Sequence, residues 1–313
     1  MTSTSVTGGH LGRRGLRRYR SLFLLMLPGL LYLLINNYLP MFGLAIAFKD
    51  IDFAKGFFGS NWVGFKNFVY LFATSDALQI TRNTILYNIV FIALNNLLAV
   101  AFAVLLNEIR SKTGLKVYQS AILIPNLISM VIVSYLVLAF LSSDTGYMNK
   151  TILPMLGKDA VSWYNEPKYW PFLLVFINAW KNVGFLTIIY YAAILGIDVE
   201  MYEAARMDGA SKGKQIFSLT IPQLVPILTM MVLLFVGRIF YADFGLFYQV
   251  PLDSGSLYDA TNVIDTYVYR GLMQIGDIGM SSAAGFYQSF VGFATVLAAN
   301  LIVRKISPEN ALF

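Results

Sequence analysis

Long apolar runs alternate with shorter polar stretches along the chain. A helix needs about 20 mostly apolar residues to cross a bilayer. Six runs meet that length: 22–48, 83–106, 119–141, 170–195, 221–247 and 282–303. The pattern predicts an all-α membrane protein with six transmembrane helices. Pro28, Pro40, Pro125 and Pro226 lie in or at the ends of these runs. Membrane helices tolerate such prolines where neighbours satisfy the freed carbonyls. Composition agrees, with 57% hydrophobic and 13% charged residues, against about 25% charged in ordinary soluble domains. The absence of cysteine excludes disulfides, thiolate metal sites and cysteine nucleophiles.

Charge sets the expected orientation. Basic residues gather on the cytoplasmic side of membrane proteins. With the N-terminus inside, the inner segments hold Arg13, Arg14, Arg17, Arg18, Arg20, Arg110, Lys112, Lys116, Arg206, Lys212, Lys214, Arg304 and Lys305. The outer loops, at 49–82, 142–169 and 248–281, hold Lys49, Lys55, Lys66, Lys150, Lys158, Lys168 and Arg270, with Arg82 at the start of the second span. Six spans then place both termini in the cytoplasm. Residues 1–21 read as a flexible basic tail, 22–303 as the transmembrane domain, and 304–313 as a cytoplasmic C-terminal tail. A secretory signal is a poor fit, because the first apolar run exceeds a signal core of about 7–15 residues and no small-residue cleavage site closes it. His10, the single histidine, reads as a solvated tail residue. The net charge of +6 sits beside the spans, which argues for membrane lipid and against nucleic acid.

The polar stretch 202–222, YEAARMDGASKGKQIFSLTIP, separates two of the runs. Gly196 can end the fourth helix. Asp198 can cap a short new one, with Glu200 and Glu203 in its early turns, where negative charge suits the helix dipole. Ala204 and Ala205 favour helix and add no bulk. Gly209 is a natural stop. Ser211 can start a second short helix, and Pro222 can open the next span. The loop, 197–218, is either a plain connector or a rigid cytoplasmic element with a small-residue face for a partner.

Glu203-Ala204-Ala205, then Gly209 three residues later, then Leu219-Thr220-Ile221-Pro222 after nine more, resembles the EAA signature of ABC importer permeases. The one departure is an exchange of Leu and Ile. Its place between the second- and third-last spans also agrees. Further stretches, among them LPGLLYLLINNYLPMFGLAIAFKD, NWVGFKNF, WKNVGFLTIIYYAAILGIDVEMYEAA and VRKISPENALF, resemble the carbohydrate (maltose-type) branch, closest to the lipoprotein-associated polysaccharide transporter permeases.

The resemblance implies a non-enzymatic permease of the bacterial cytoplasmic (inner) membrane. Its implied partners are two ATPase subunits, a second permease that is a different homologous chain, and an extracellular or periplasmic solute-binding protein. The EAA helix would be the coupling helix, seated in a groove of the ATPase. Glu203 would make a polar or ionic contact there, while Ala204, Ala205 and Gly209, with Asp208 beside them, would allow close packing. The chain lacks GxxxxGK[ST]. ATP and Mg would therefore be held by the ATPase subunits, with no cofactor in this chain.

Ionisable groups within spans usually face the bundle interior. Lys181, Arg238 and Asp243 are such groups, and Asn178, Asn182, Tyr241, Tyr287 and Gln288 add donors and rings. Asn95, Asn96 and Tyr190 belong to the same polar set. The mixture suits a sugar, whose hydroxyls need hydrogen bonds and whose CH faces pack on rings. If both cations line the cavity, an acidic, uronate-type oligosaccharide is favoured. Structural readings compete with this: amides that glue helices together, and an Arg238–Asp243 pair at a helix end. Rival functions are a permease for a non-sugar solute and an ion-coupled secondary transporter. A membrane-embedded enzyme is disfavoured, since the spans hold no histidine and one carboxylate, Asp243.

Overall fold

The computed structural model describes residues 19–73 and 75–306. The first apolar run forms α1 (Arg20–Phe48), which is α-helical to Leu33, widens over Leu34–Tyr38 and tightens into a 3₁₀ helix over Leu39–Phe48. A short hairpin follows, β1 (Lys49–Asp50) antiparallel to β2 (Asn61–Trp62), with Lys49 opposite Trp62. This corrects the all-α expectation in one connection only. Then come α2 (Lys66–Ala73) and α3 (Asp76–Asn107).

The third run departs from a straight span. It forms α4 (Lys112–Leu127) and α5 (Met130–Leu141), bent by 92°. Pro125 removes a helical N–H near the end of α4. Ser129 then caps α5, its side chain accepting from the Ile132 N–H. The fourth run is α6 (Trp170–Leu195), matching the sequence expectation at both ends. It is followed by α7 (Val199–Met207), α8 (Lys212–Val236), α9 (Ile264–Arg270) and α10 (Ile278–Ile306). Among the described residues, five helices are long and apolar enough to cross a membrane, or six if α4 and α5 together make one span.

Two boundaries move for local reasons. The separate short helix expected after Ser211 is continuous with the fifth span. A wide turn over Ile216–Thr220 joins them, at the place where Pro222 cannot donate to the helical ladder. That span stops at Val236, short of the expected residue 247. At the chain ends, Arg20 and Ser21 belong to α1, and Arg304 to Ile306 belong to α10. Apart from Tyr19, the rest of both expected tails, with His10, lies outside the described residues.

The core is built on small residues. Ala99 and Ala103 of α3 lie against Ala179 and Val183 of α6, with Leu186, Tyr190 and Leu224 closing the cluster. Gly184 brings α6 onto α4: a Cβ there would sit 1.8 Å from the Ile122 carbonyl oxygen. A second cluster joins Phe91, Trp170, Leu174 and Phe247. α1 is apolar on all sides, and among its residues only Ala47 is buried. It meets the rest of the fold through its last stretch, against α10.

Candidate functional site

An amide-rich groove of about 640 Å³ opens between α3, α6 and the end of α8. On α3, Asn88, Asn95 and Asn96 fall on one face, because positions seven and eight apart return to the same side of a helix. On α6, Asn178 and Asn182 are one turn apart. These amides organise one another. Asn95 Nδ2 donates to Asn178 Oδ1 at 2.8 Å, and Asn182 Nδ2 donates to the Asn178 carbonyl at 3.0 Å. The Tyr190 hydroxyl donates to Asn96 Oδ1. Asn95 Oδ1 is buried without a partner among the described residues. Phe91, Phe185 and Phe235 supply apolar walls.

The remaining wall is the unwound segment 237–243, which follows the early stop of α8. It carries Arg238, Tyr241 and Asp243 into the groove. A helix end leaves carbonyls without intrahelical partners; here side chains of α3 and α10 bind carbonyls of the segment, and α9 binds one of its N–H groups. Asn88 Nδ2 donates to the carbonyls of Ile239 and Tyr241, at 2.9 and 3.1 Å. Gln288 Nε2 donates to the Phe240 carbonyl at 2.7 Å. The Ala242 N–H donates to Asp265 Oδ2 at 2.7 Å, and Gln288 Nε2 donates to the same oxygen at 3.0 Å. Burial pushes the Asp265 carboxyl above the usual range, while the Ala242 and Gln288 hydrogen bonds and the Arg238 charge pull it back. Asp243 Oδ1 accepts from the Leu246 N–H at 3.1 Å and starts the wide turn Gly245–Gln249.

Five of the eight residues expected along the substrate path line this groove: Asn178, Asn182, Arg238, Tyr241 and Asp243. Three do not. Lys181 donates instead to backbone carbonyls at the α4–α5 break. Tyr287 meets the Thr81 hydroxyl at 3.2 Å. Gln288 is buried behind the unwound segment. The groove therefore holds one cation, Arg238, where the acidic-substrate argument asked for two. Arg238 makes no ion pair with a described side chain. Asn88 and Asp265 were missed. The seven-residue spacing from Asn88 to Asn95 could have found the first. Asp265 lies outside the apolar runs and carried no signal.

The loop between α6 and α8 follows its local chemistry. Gly196 caps α6. Asp198 caps α7, with Oδ1 accepting from the Glu200 N–H at 3.0 Å. Gly209 turns the chain at φ +76°, and Ser211 caps the next helix. Glu203, Ala204, Asp208 and Gly209 are exposed and Ala205 is half-buried. Met207 stands out at 89% exposure. Lys212 pairs with Glu108 at the end of α3 at 2.8 Å.

Residues 95–308 match the family described as the binding-protein-dependent transport system inner membrane component. Protein LplB of Bacillus subtilis (strain 168) is 35% identical, covering 94% of this chain and 92% of that protein. The polygalacturonan/rhamnogalacturonan transport system permease protein YteP of the same organism is 33% identical, covering 92% and 89%. A crystal structure of a bacterial ABC transporter involved in import of the acidic polysaccharide alginate has a chain that superposes with a TM-score of 0.85, at 32% identity over 94% of this chain and 98% of that one. An alginate transporter structure in complex with an alginate pentasaccharide-bound periplasmic protein also gives 0.85, at 31% identity over 95% and 99%. With more than half its length matched, the chain belongs to the binding-protein-dependent inner membrane components, the permease subunits of ABC importers.

Proposed function

We propose that this permease moves an acidic oligosaccharide across the bacterial cytoplasmic membrane by alternating access, taking it from an extracellular solute-binding protein. The observation that carries the reading is the groove itself. Amides satisfy hydroxyls, rings pack against sugar CH faces, and the Arg238 guanidinium stands ready for a carboxylate. Relatives that import alginate and polygalacturonan support the acidic class. A permease for another solute would make poorer use of so many amides.

Both termini lie in the cytoplasm on this reading, and α7 is the coupling helix facing the ATPase. Its support is the exposure of Glu203, Ala204 and Met207, the sharp turn at Gly209, and the Lys212–Glu108 tie that joins the loop to α3. Two ATPase subunits hold ATP and Mg. A second permease chain completes the groove, which is open on one side here, and the bare flanks of α1 leave room for that chain and for lipid.

The test is uptake into proteoliposomes that carry the whole complex and its binding protein. Arg238→Gln is expected to slow an acidic oligosaccharide about tenfold or more, the worth of one charge-assisted contact of about 1.5–3 kcal/mol, and to spare a neutral one. Equal slowing of both solutes would remove the acidic reading.

A further inference from the structure

We propose that Asp265 and Gln288 are positioning residues: with Asn88 they clasp the unwound segment 237–243 and hold Tyr241 and its neighbours facing the groove. The inference deepens the reading of the groove as the solute path, and rests on it for its significance to transport.

Non-helical backbone at membrane depth persists only where protein or a cavity satisfies its polar groups. Here three successive carbonyls are held from two sides. Those of Ile239 and Tyr241 are bound by Asn88 of α3, and that of Phe240 is bound by Gln288 of α10. The segment runs through tight turns, with the Arg238, Ile239 and Tyr241 N–H groups donating to the Phe235, Val236 and Arg238 carbonyls. Phe240 is 6% exposed, packed with Ile80, Ile264 and Ala284, while Tyr241 is 39% exposed and lines the groove. Loss of the clasp would let the segment shift and bring the two rings toward equal exposure.

Asp265 is the hub of the clasp. One oxygen accepts from the Ala242 N–H and from the Gln288 amide, so α9 and α10 grip the segment together. The Gln288 amide spends both hydrogens on this task. Neither Asp265 nor Gln288 lines the groove. Their effect on a solute would therefore pass entirely through the side chains they orient.

The chain contains no cysteine, so an introduced thiol is the only one on this chain, and its labelling is read on the chain after it is separated from its partners. Phe240→Cys and Tyr241→Cys are placed separately in the full transporter in its own membranes. Reaction rates with a membrane-impermeant thiosulfonate are measured with the clasp intact and with Gln288→Leu, Asp265→Ala or Asp265→Asn. With the clasp intact, position 241 is expected to react at least about tenfold faster than position 240. Loss of clasp bonds is expected to lower that ratio about tenfold, equivalent to ~1.4 kcal/mol. Asp265→Asn keeps the shape and one acceptor and is expected to fall between. If Asp265→Ala fails to assemble with its ATPase, Gln288→Leu and Asp265→Asn decide the matter.

An unchanged ratio in assembled variants overturns the proposal. Protection of the thiol at 241 by solute-loaded binding protein is scored separately. A ratio that shifts without any protection keeps the clasp and removes the solute path. Protection with an unshifted ratio does the reverse.

Discussion

The Lys181 ammonium lies 3.1 Å from the Pro125 carbonyl oxygen and also donates to the Ile128 carbonyl, across the break between α4 and α5. A cation is well placed on carbonyls that a helix end leaves open. Asn126 returns the contact, with Nδ2 donating to the Lys181 carbonyl at 3.3 Å. This ammonium therefore holds the 92° bend and takes no part in lining the groove.

Lys181→Met is accordingly expected to destabilise the chain by about 1–3 kcal/mol, the cost of leaving buried acceptors unpaired. Thermal unfolding of the solubilised complex measures that loss. The ratio of acidic to neutral solute uptake should stay as it was, in contrast to Arg238→Gln. A changed ratio would put Lys181 back on the substrate path.

Gly184 is where α6 meets α4. Even one methyl group would lie far inside contact distance of the Ile122 carbonyl, at 1.8 Å. Overpacking a core costs typically about 1–3 kcal/mol, and more where backbone must move. Gly184→Ala should therefore lower the thermal midpoint and the amount of assembled complex. Gly213→Ala, with nothing within 4 Å of the added carbon, is the matched control and should leave both unchanged.

The loop carrying Glu203 to Gly209 should separate insertion from coupling. Ala205→Trp adds bulk on α7, away from the membrane spans. It is expected to abolish ATP-driven uptake while the chain still reaches the membrane in normal amount. Gly209→Val acts through the backbone. At φ +76° a β-branched residue is strained by about 1–2 kcal/mol, and no neighbour blocks its side chain. Uptake, membrane level and ATPase copurification together read these variants. Normal uptake with Trp at 205 would end the coupling assignment.

Between α8 and α10, Arg270 is nearly buried. It pairs with Asp253 at 2.8 Å, donates to Asn262 and Thr266, and lies 4.2 Å from the Tyr258 ring. Asp253 and Leu252 both hold positive φ, at 48° and 55°, so the pair stabilises a turn that these residues disfavour. Removing one partner of a buried pair costs about 3–5 kcal/mol. Arg270→Gln should expose the 248–281 segment to limited proteolysis. Arg270→Lys, which keeps charge but loses the planar fork, should rescue it only in part.

Apolar run length made most of the fold legible, and α6 shows why: a continuous apolar stretch ends at a capping glycine, and both limits can be read locally. The early stop of α8 was hidden, because the run 221–247 stays apolar past Gly237. Only side chains from α3, α9 and α10 make unwinding affordable there. The same distinction divides the site. Asn178 and Asn182 were readable as amides one turn apart within a span. The direction of Lys181 depends on the α4–α5 break, which helix periodicity does not reveal. Gln288 looked like a substrate ligand by type, yet its partners are the Phe240 carbonyl, 48 residues away, and the Asp265 carboxylate.

The most direct test of the central claim is purification of the tagged chain from its native membranes in mild detergent, followed by uptake assays in liposomes. The account predicts an ATPase and a second permease in the purified complex. It also predicts acidic oligosaccharide uptake only when ATP and the solute-loaded binding protein are both present. A chain that came out alone and carried solute without ATP would contradict it.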